Sequence, residues 1–152
     1  MMIRTHFSIA ILAILLFLPQ INNKIIFIFT ALIATLLPDI DTAFSTLGKE
    51  KVFRFLQFFV RHRGFIHSFT FAIVISIIIA FFLPIVSLGF FLGYGIHLFA
   101  DSFTREGIMP FWPYKGVSKW HIKTGGLVET SVFVVFLLLD LLVLIFMIAG
   151  FF

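Results

Sequence analysis

The chain contains no cysteine. Disulfides and thiolate metal sites are therefore excluded, and the redox compartment cannot be read from cysteine usage. Charge is scarce as well. Asp, Glu, Lys and Arg make up 12% of the residues, against about 25% in ordinary soluble domains. Internal repeats, low-complexity tracts and polar linkers are lacking, which leaves one helical membrane domain over residues 1–152 as the expectation. No small-x-small cleavage site follows the first apolar run, where the chain reads Pro19-Gln20-Ile21-Asn22-Asn23-Lys24. That favours a retained first helix over a removed signal peptide.

What the chain has in excess is apolar surface. Hydrophobic residues make up 61% of it, with 24 Phe, and the mean hydropathy is +1.17. A globule of 152 residues cannot hide that much apolar surface, so the surplus must face lipid. The apolar runs are continuous rather than alternating, which points to helices and not to a barrel. The fold expected is an all-α integral membrane protein with about five hydrophobic helices. They cover residues 7–18, 25–37, 68–83, 86–103 and 127–152, the first two being short or tilted. Thr5 is the expected cap of the first, and Pro84 the turn between the third and fourth.

Charge distribution orients these spans. Arg4 precedes the first. Lys49, Lys51, Arg54, Arg61 and Arg63 separate the second from the third, and Arg105, Lys115, Lys119 and Lys123 separate the fourth from the fifth. With five spans, ten of the eleven basic residues fall on one side and only Lys24 on the other. The positive-inside rule then makes this a multi-pass protein of the inner or plasma membrane. Its N-terminus and long loops are cytoplasmic and its C-terminus lies outside. The net charge of +4 is explained by topology, so no nucleic acid partner is expected. In residues 51–63, Arg54, Gln57 and Arg61 recur on one face among Phe55, Leu56, Phe58 and Phe59. This predicts a short helix lying in the headgroup plane at the cytoplasmic face.

The possible ligands gather in one layer. His6, Asp39, Asp41, His62, His67, His97, Asp101, His121 and Glu129 all map to that same side. Each signal alone has an ordinary reading. A helical His-x-x-x-Asp is commonly a structural hydrogen-bonded pair, and Asp-x-Asp after a helix is commonly a turn. His121 beside Trp120 suits an interfacial loop. Convergence is what favours a divalent metal, since imidazole and carboxylate are the usual ligands of zinc and similar ions. His97 and Asp101, four residues apart, share a helix face. Asp140 is separate from this layer. It lies near the middle of the fifth helix, three turns from Glu129 and on the same face. It is read as a structural residue bonded to Tyr94 or Ser87, or as a homo-oligomer contact, with a proton path as the alternative.

Three motifs, Pro38-Asp39-Ile40-Asp41, His62-Arg63-Gly64-x-x-His67-Ser68 and His97-x-x-x-Asp101-Ser102-x-Thr104, stand in this order between hydrophobic helices. Together they resemble the YdjM-like, LexA-regulated membrane-bound metal-dependent hydrolases, from His6 to about Glu129. They are more distantly similar to zinc-dependent phospholipase C and related nucleases. That resemblance implies metal ligands at His97, Asp101, His67 and Asp39 or Asp41, with His6 supporting a neighbouring ion; Asp41, His67, His97 and Asp101 are taken as the core ligands, and His6 and Asp39 as completing or orienting a second site. Asp39 and Glu129 would carry catalytic roles. The later His-x-x-x-Glu of that pattern is absent, because Gly125 stands four residues before Glu129. One or two ions are therefore implied, zinc first, with manganese or iron as substitutes. Arg61, Arg63 and Arg105 would hold the phosphate of a phospholipid or other amphiphilic phosphoester. Their ordinary reading is topology and anionic-lipid contact. The rival classes are a metal-ion or proton transporter and a non-catalytic membrane protein stapled by metal.

Overall fold

A computed structural model describes residues 1–39 and 65–151. The predicted interfacial helix, with Asp41, Arg61, His62 and Arg63, lies outside the described residues. Among the described residues there are five α-helices and no strand: α1 (Ile3–Phe17), α2 (Lys24–Leu36), α3 (Phe69–Phe82), α4 (Pro84–Ser102) and α5 (Leu127–Ile148). The fold class is thus all-α. With its 3₁₀ continuation, α1 runs over Ile3–Gln20, and this segment, α4 and α5 are long and apolar enough to cross a membrane. At 13 and 14 residues, α2 and α3 fall short of a full span.

Local chemistry sets the boundaries. Ser68 caps α3, its Oγ accepting from the Phe71 N–H at 3.2 Å. Pro84 opens α4, where its missing N–H costs nothing. Pro38 draws the end of α2 into the 3₁₀ turn Leu37–Asp39. One expected cap is corrected. Thr5 lies inside α1 and is fully buried, and Met2 is the N-cap. The helix starts earlier than its apolar run because His6 and Thr5 turn into the protein rather than toward the headgroups.

Between helices in lipid there is little hydrophobic gain, so association depends on close packing of small residues. The most intimate pair is α2 with α4. A Cβ at Gly93 would lie 2.0 Å from the Ala31 carbonyl oxygen, and one at Gly89 3.0 Å from that of Phe27. Only glycine permits this approach. On its other side α4 packs with α3 around Ala72, Phe90, Tyr94 and Leu98. The Tyr94 hydroxyl donates to the Ile66 carbonyl at 2.8 Å.

α5 packs chiefly on α1, and its only buried residues are Glu129 and Asp140. They share a face, as their spacing requires. The partner of Asp140 is neither Tyr94 nor Ser87. Ser8 Oγ donates to Asp140 Oδ2 at 3.2 Å, because α1 and not α4 covers this face of α5.

Between α4 and α5 the chain folds over the helix ends. Bridges join Thr104 to Ile122 and Ile108 to Ser118. The Phe69 N–H donates to the Pro110 carbonyl at 2.8 Å, tying this segment to the start of α3.

Candidate metal centre

One four-residue stripe on α4 organises the site. Gly89 and Gly93 bring α2 close, and His97 and Asp101 continue the same face toward the helix end. On α2, Phe27, Ala31 and Thr35 have matching spacing, and Asp39 follows in the 3₁₀ turn. His67 arrives from the residue before the α3 cap. Asp39, His67, His97 and Asp101 can each turn one donor atom to a common point, these atoms all lying within 4.8 Å of one another. His67, His97 and Asp101 are each 2% exposed or less. The Asp39 side chain is 26% exposed and forms the open side of the cluster.

His97 carries the strongest signal. Its Nδ1 lies 2.8 Å from the Thr35 carbonyl oxygen. A carbonyl only accepts, so Nδ1 bears the hydrogen, and in the neutral ring Nε2 is the nitrogen left to bind a cation. The Thr35 carbonyl is available because it lies in the last turn of α2, where intrahelical donors run out and Pro38 has no N–H. Nε2 lies 3.6 Å from Asp39 Oδ1 and 3.7 Å from Asp101 Oδ2. It is buried without a hydrogen-bond partner. Two carboxylate oxygens facing Nε2 call for positive charge between them, which a divalent ion supplies to the neutral ring and a proton on Nε2 supplies otherwise. Two donors on one tetrahedral zinc stand about 3.3 Å apart, so small side-chain shifts would bring these three atoms onto one ion. The backbone hydrogen bond on the far ring nitrogen is the orienting contact that metal-binding histidines commonly make. The residues therefore fit a divalent ion.

The remaining candidates surround this group. His6 is 2% exposed and stacks on His97 with ring centroids 3.9 Å apart and planes 6° from parallel. Its Nε2 lies 3.3 Å from Asp101 Oδ1, the oxygen that the Met1 amine also contacts. His6 thus lies against the four-donor group without belonging to it. Glu129, 1% exposed, also lies outside the group. It accepts from the backbone N–H groups of Met2 and Gly125, linking the starts of α1 and α5. Arg105 is exposed, and its Nε donates to the His121 carbonyl at 3.3 Å. His121 lies beside Trp120 in the exposed segment between α4 and α5.

Two contributors were missed by reading side-chain letters, and a third, Thr104, was named only as a motif letter. Thr35 acts through its carbonyl, and Gly93 acts by having no side chain. Thr104 closes the end of α4, its hydroxyl donating to the Asp101 carbonyl at 2.7 Å and accepting from the Gly107 N–H at 3.2 Å. The four-residue series Gly89, Gly93, His97, Asp101 was visible in the sequence and could have found the second.

Searches of curated proteins and of solved structures find no match to the chain. A family model described as "YdjM inner membrane protein" matches residues 1–151. With its apolar helices and a donor cluster able to hold a metal ion, the chain belongs to the YdjM inner membrane protein family.

Proposed function

We propose that the chain is a membrane-embedded metal-dependent hydrolase, a phosphoesterase acting on a phospholipid or another amphiphilic phosphoester at the cytoplasmic interface. The observation that carries this reading is the convergence of Asp39, His67, His97 and Asp101, with His97 Nε2 turned to the two carboxylates by the Nδ1 bond to the Thr35 carbonyl. Asp39, His67, His97 and Asp101 would hold the ion, with His6 flanking a second. Neutral imidazoles with carboxylates favour zinc, with manganese or iron as substitutes. Such an ion supplies a Lewis acid for a phosphoryl oxygen and a water nucleophile at neutral pH.

The chain's own residues would do the rest. Thr35 fixes the tautomer of His97, and Asp101 is held from one side by His97 and from the other by His6. Asp39, the half-exposed member, is suited to receive a proton from water on the open side. Glu129, engaged by two backbone amides, would act by positioning α1 against α5 rather than by touching substrate. Arg61, Arg63 and Arg105 would hold anionic headgroups around the rim.

The topology belongs to the same reading. The cluster lies at the ends of α2 and α4 and just before α3, with the start of α1 against it, whereas Lys24 opens α2 at its far end. Arg4, Arg105, Lys115, Lys119 and Lys123 accompany the cluster, which supports a cytoplasmic site and an external C-terminus. Self-association through α5 would use its exposed Val and Leu residues, since Asp140 faces α1 of its own chain.

Elemental analysis of detergent-purified protein, followed by a phosphoester screen, tests the proposal. We expect at least one divalent ion per chain and loss of hydrolysis in Asp101→Ala. Unchanged hydrolysis in that variant would remove the assigned site.

A further inference from the structure

A cavity of about 550 Å³ opens on the ligand cluster. Asp39 and Asp101 line it, together with Glu106, Met2, Ile3 and Arg4. Three of these are carboxylates. The Met1 ammonium also lines the cavity, in contact with Asp101, so without an ion three carboxylates outweigh one ammonium and repel an anion, whereas a divalent ion on Asp39 and Asp101 brings these groups to balance. Arg4 then becomes the deciding charge. It is the one Lys or Arg among the described residues lining the cavity.

Arg4 is held and still available. Its Cζ lies 5.2 Å from the centroid of the Phe133 ring. Its Nη2 makes one long contact, 3.5 Å, to Thr130 Oγ1. Both partners are on α5, so the guanidinium is steadied beside the cavity with most of its five N–H donors unused. The next residues of the same wall, Met2 and Ile3, are exposed apolar side chains. A cation over a metal cluster, next to an apolar wall at the membrane surface, matches an anionic headgroup with a hydrocarbon part.

The geometry points to Arg4 as the anion-binding residue of this cavity. It would take the phosphoryl group of an amphiphilic phosphoester whose apolar part lies along Met2 and Ile3. This inference rests on the phosphoesterase reading and names the residue that recognises the substrate class. It differs from the expectation for Arg105, which does not line the cavity and bonds the His121 carbonyl instead.

The test is calorimetric titration of inorganic phosphate into zinc-loaded full-length protein in detergent, for wild type, Arg4→Gln and Arg4→Lys, with zinc content measured on each. Losing a charge-assisted contact should weaken phosphate binding by about tenfold or more in Arg4→Gln. Arg4→Lys should fall between, since it keeps the charge (and its topological effect) but loses the two-pronged geometry. Zinc content should be equal in all three. Wild-type phosphate affinity in Arg4→Gln, with binding still zinc-dependent, would overturn the role of Arg4 and leave the metal reading standing. Loss of zinc in both Arg4 variants would also overturn it, making Arg4 a support of the ligands. A wild type that takes up no zinc would fail the metal reading itself, and the Arg4 inference with it.

Discussion

Replacing Gly93 with Ala would add a methyl group 2.0 Å from the Ala31 carbonyl oxygen, with the Ala31 carbonyl carbon at 2.8 Å. Both neighbours are backbone, so no rotamer change can relieve the clash. Ordinary contact needs 3.4 Å, so α2 and α4 must part by about 1.4 Å at this crossing. One turn further along, the His97 Nδ1 to Thr35 bond is 2.8 Å. A comparable separation there would carry it beyond the roughly 3.2 Å limit of a sound N–H···O bond. His97 would lose its orienting contact, and Asp39, carried on the end of α2, would withdraw from Nε2. We expect about 1–3 kcal/mol of destabilisation from overpacking. Metal affinity should fall about 10–100-fold, as when an orienting partner of a metal-bound histidine is removed. Gly95→Ala is the control, because nothing lies within 4 Å of its added Cβ. It should be neutral or gain up to about 1 kcal/mol from helix propensity. Gly89→Ala, meeting Phe27 and Thr30 at 3.0 and 3.1 Å, should be intermediate. The assay is thermal unfolding in detergent alongside zinc titration against a competing chelator. If Gly93→Ala matched Gly95→Ala in both, the α2–α4 contact would not be what holds the site.

Three further outcomes follow from the same contacts. His97→Ala should purify folded but without its divalent ion; full metal content would mean that the ion sits elsewhere. Glu129→Ala strips an acceptor from two amide N–H groups and should lower stability by about 1–3 kcal/mol for each that stays dry. A variant that melts like wild type yet hydrolyses nothing would instead make Glu129 catalytic. In a double-mutant cycle, Ser8→Ala and Asp140→Ala should show a coupling of about 0.6 kcal/mol, the average for hydrogen bonds between membrane helices, and at most about 1.7 kcal/mol. Strict additivity would mean that the Ser8–Asp140 bond does not contribute.

Much of this protein follows from its sequence alone. Continuous apolar runs must become helices in lipid, because only then is every backbone polar group bonded within its own segment. Helical spacing also puts His97 with Asp101, and Glu129 with Asp140, on common faces. The motif residues told the family, and the scarcity of charge drew attention to the few ionisable residues present.

Which faces meet was decided by tertiary structure. Thr5 reads as a cap by residue type, yet it is buried because α1 starts earlier and packs against its neighbours. Asp140 has polar residues within reach on paper at Tyr94 and Ser87, but these bond Ile66 and Ser76, and Ser8 is its partner. Glu129 looks like a free acid in a first turn until α1 brings the Met2 amide to it. Most of all, the orientation of His97 comes from a backbone carbonyl 62 residues earlier in the chain. A carbonyl has no letter of its own. Periodicity reports how residues are arranged around one helix, whereas the cluster of candidate ligands depends on the distance between two helices, which two glycines and a proline-containing turn set only once the chain has folded.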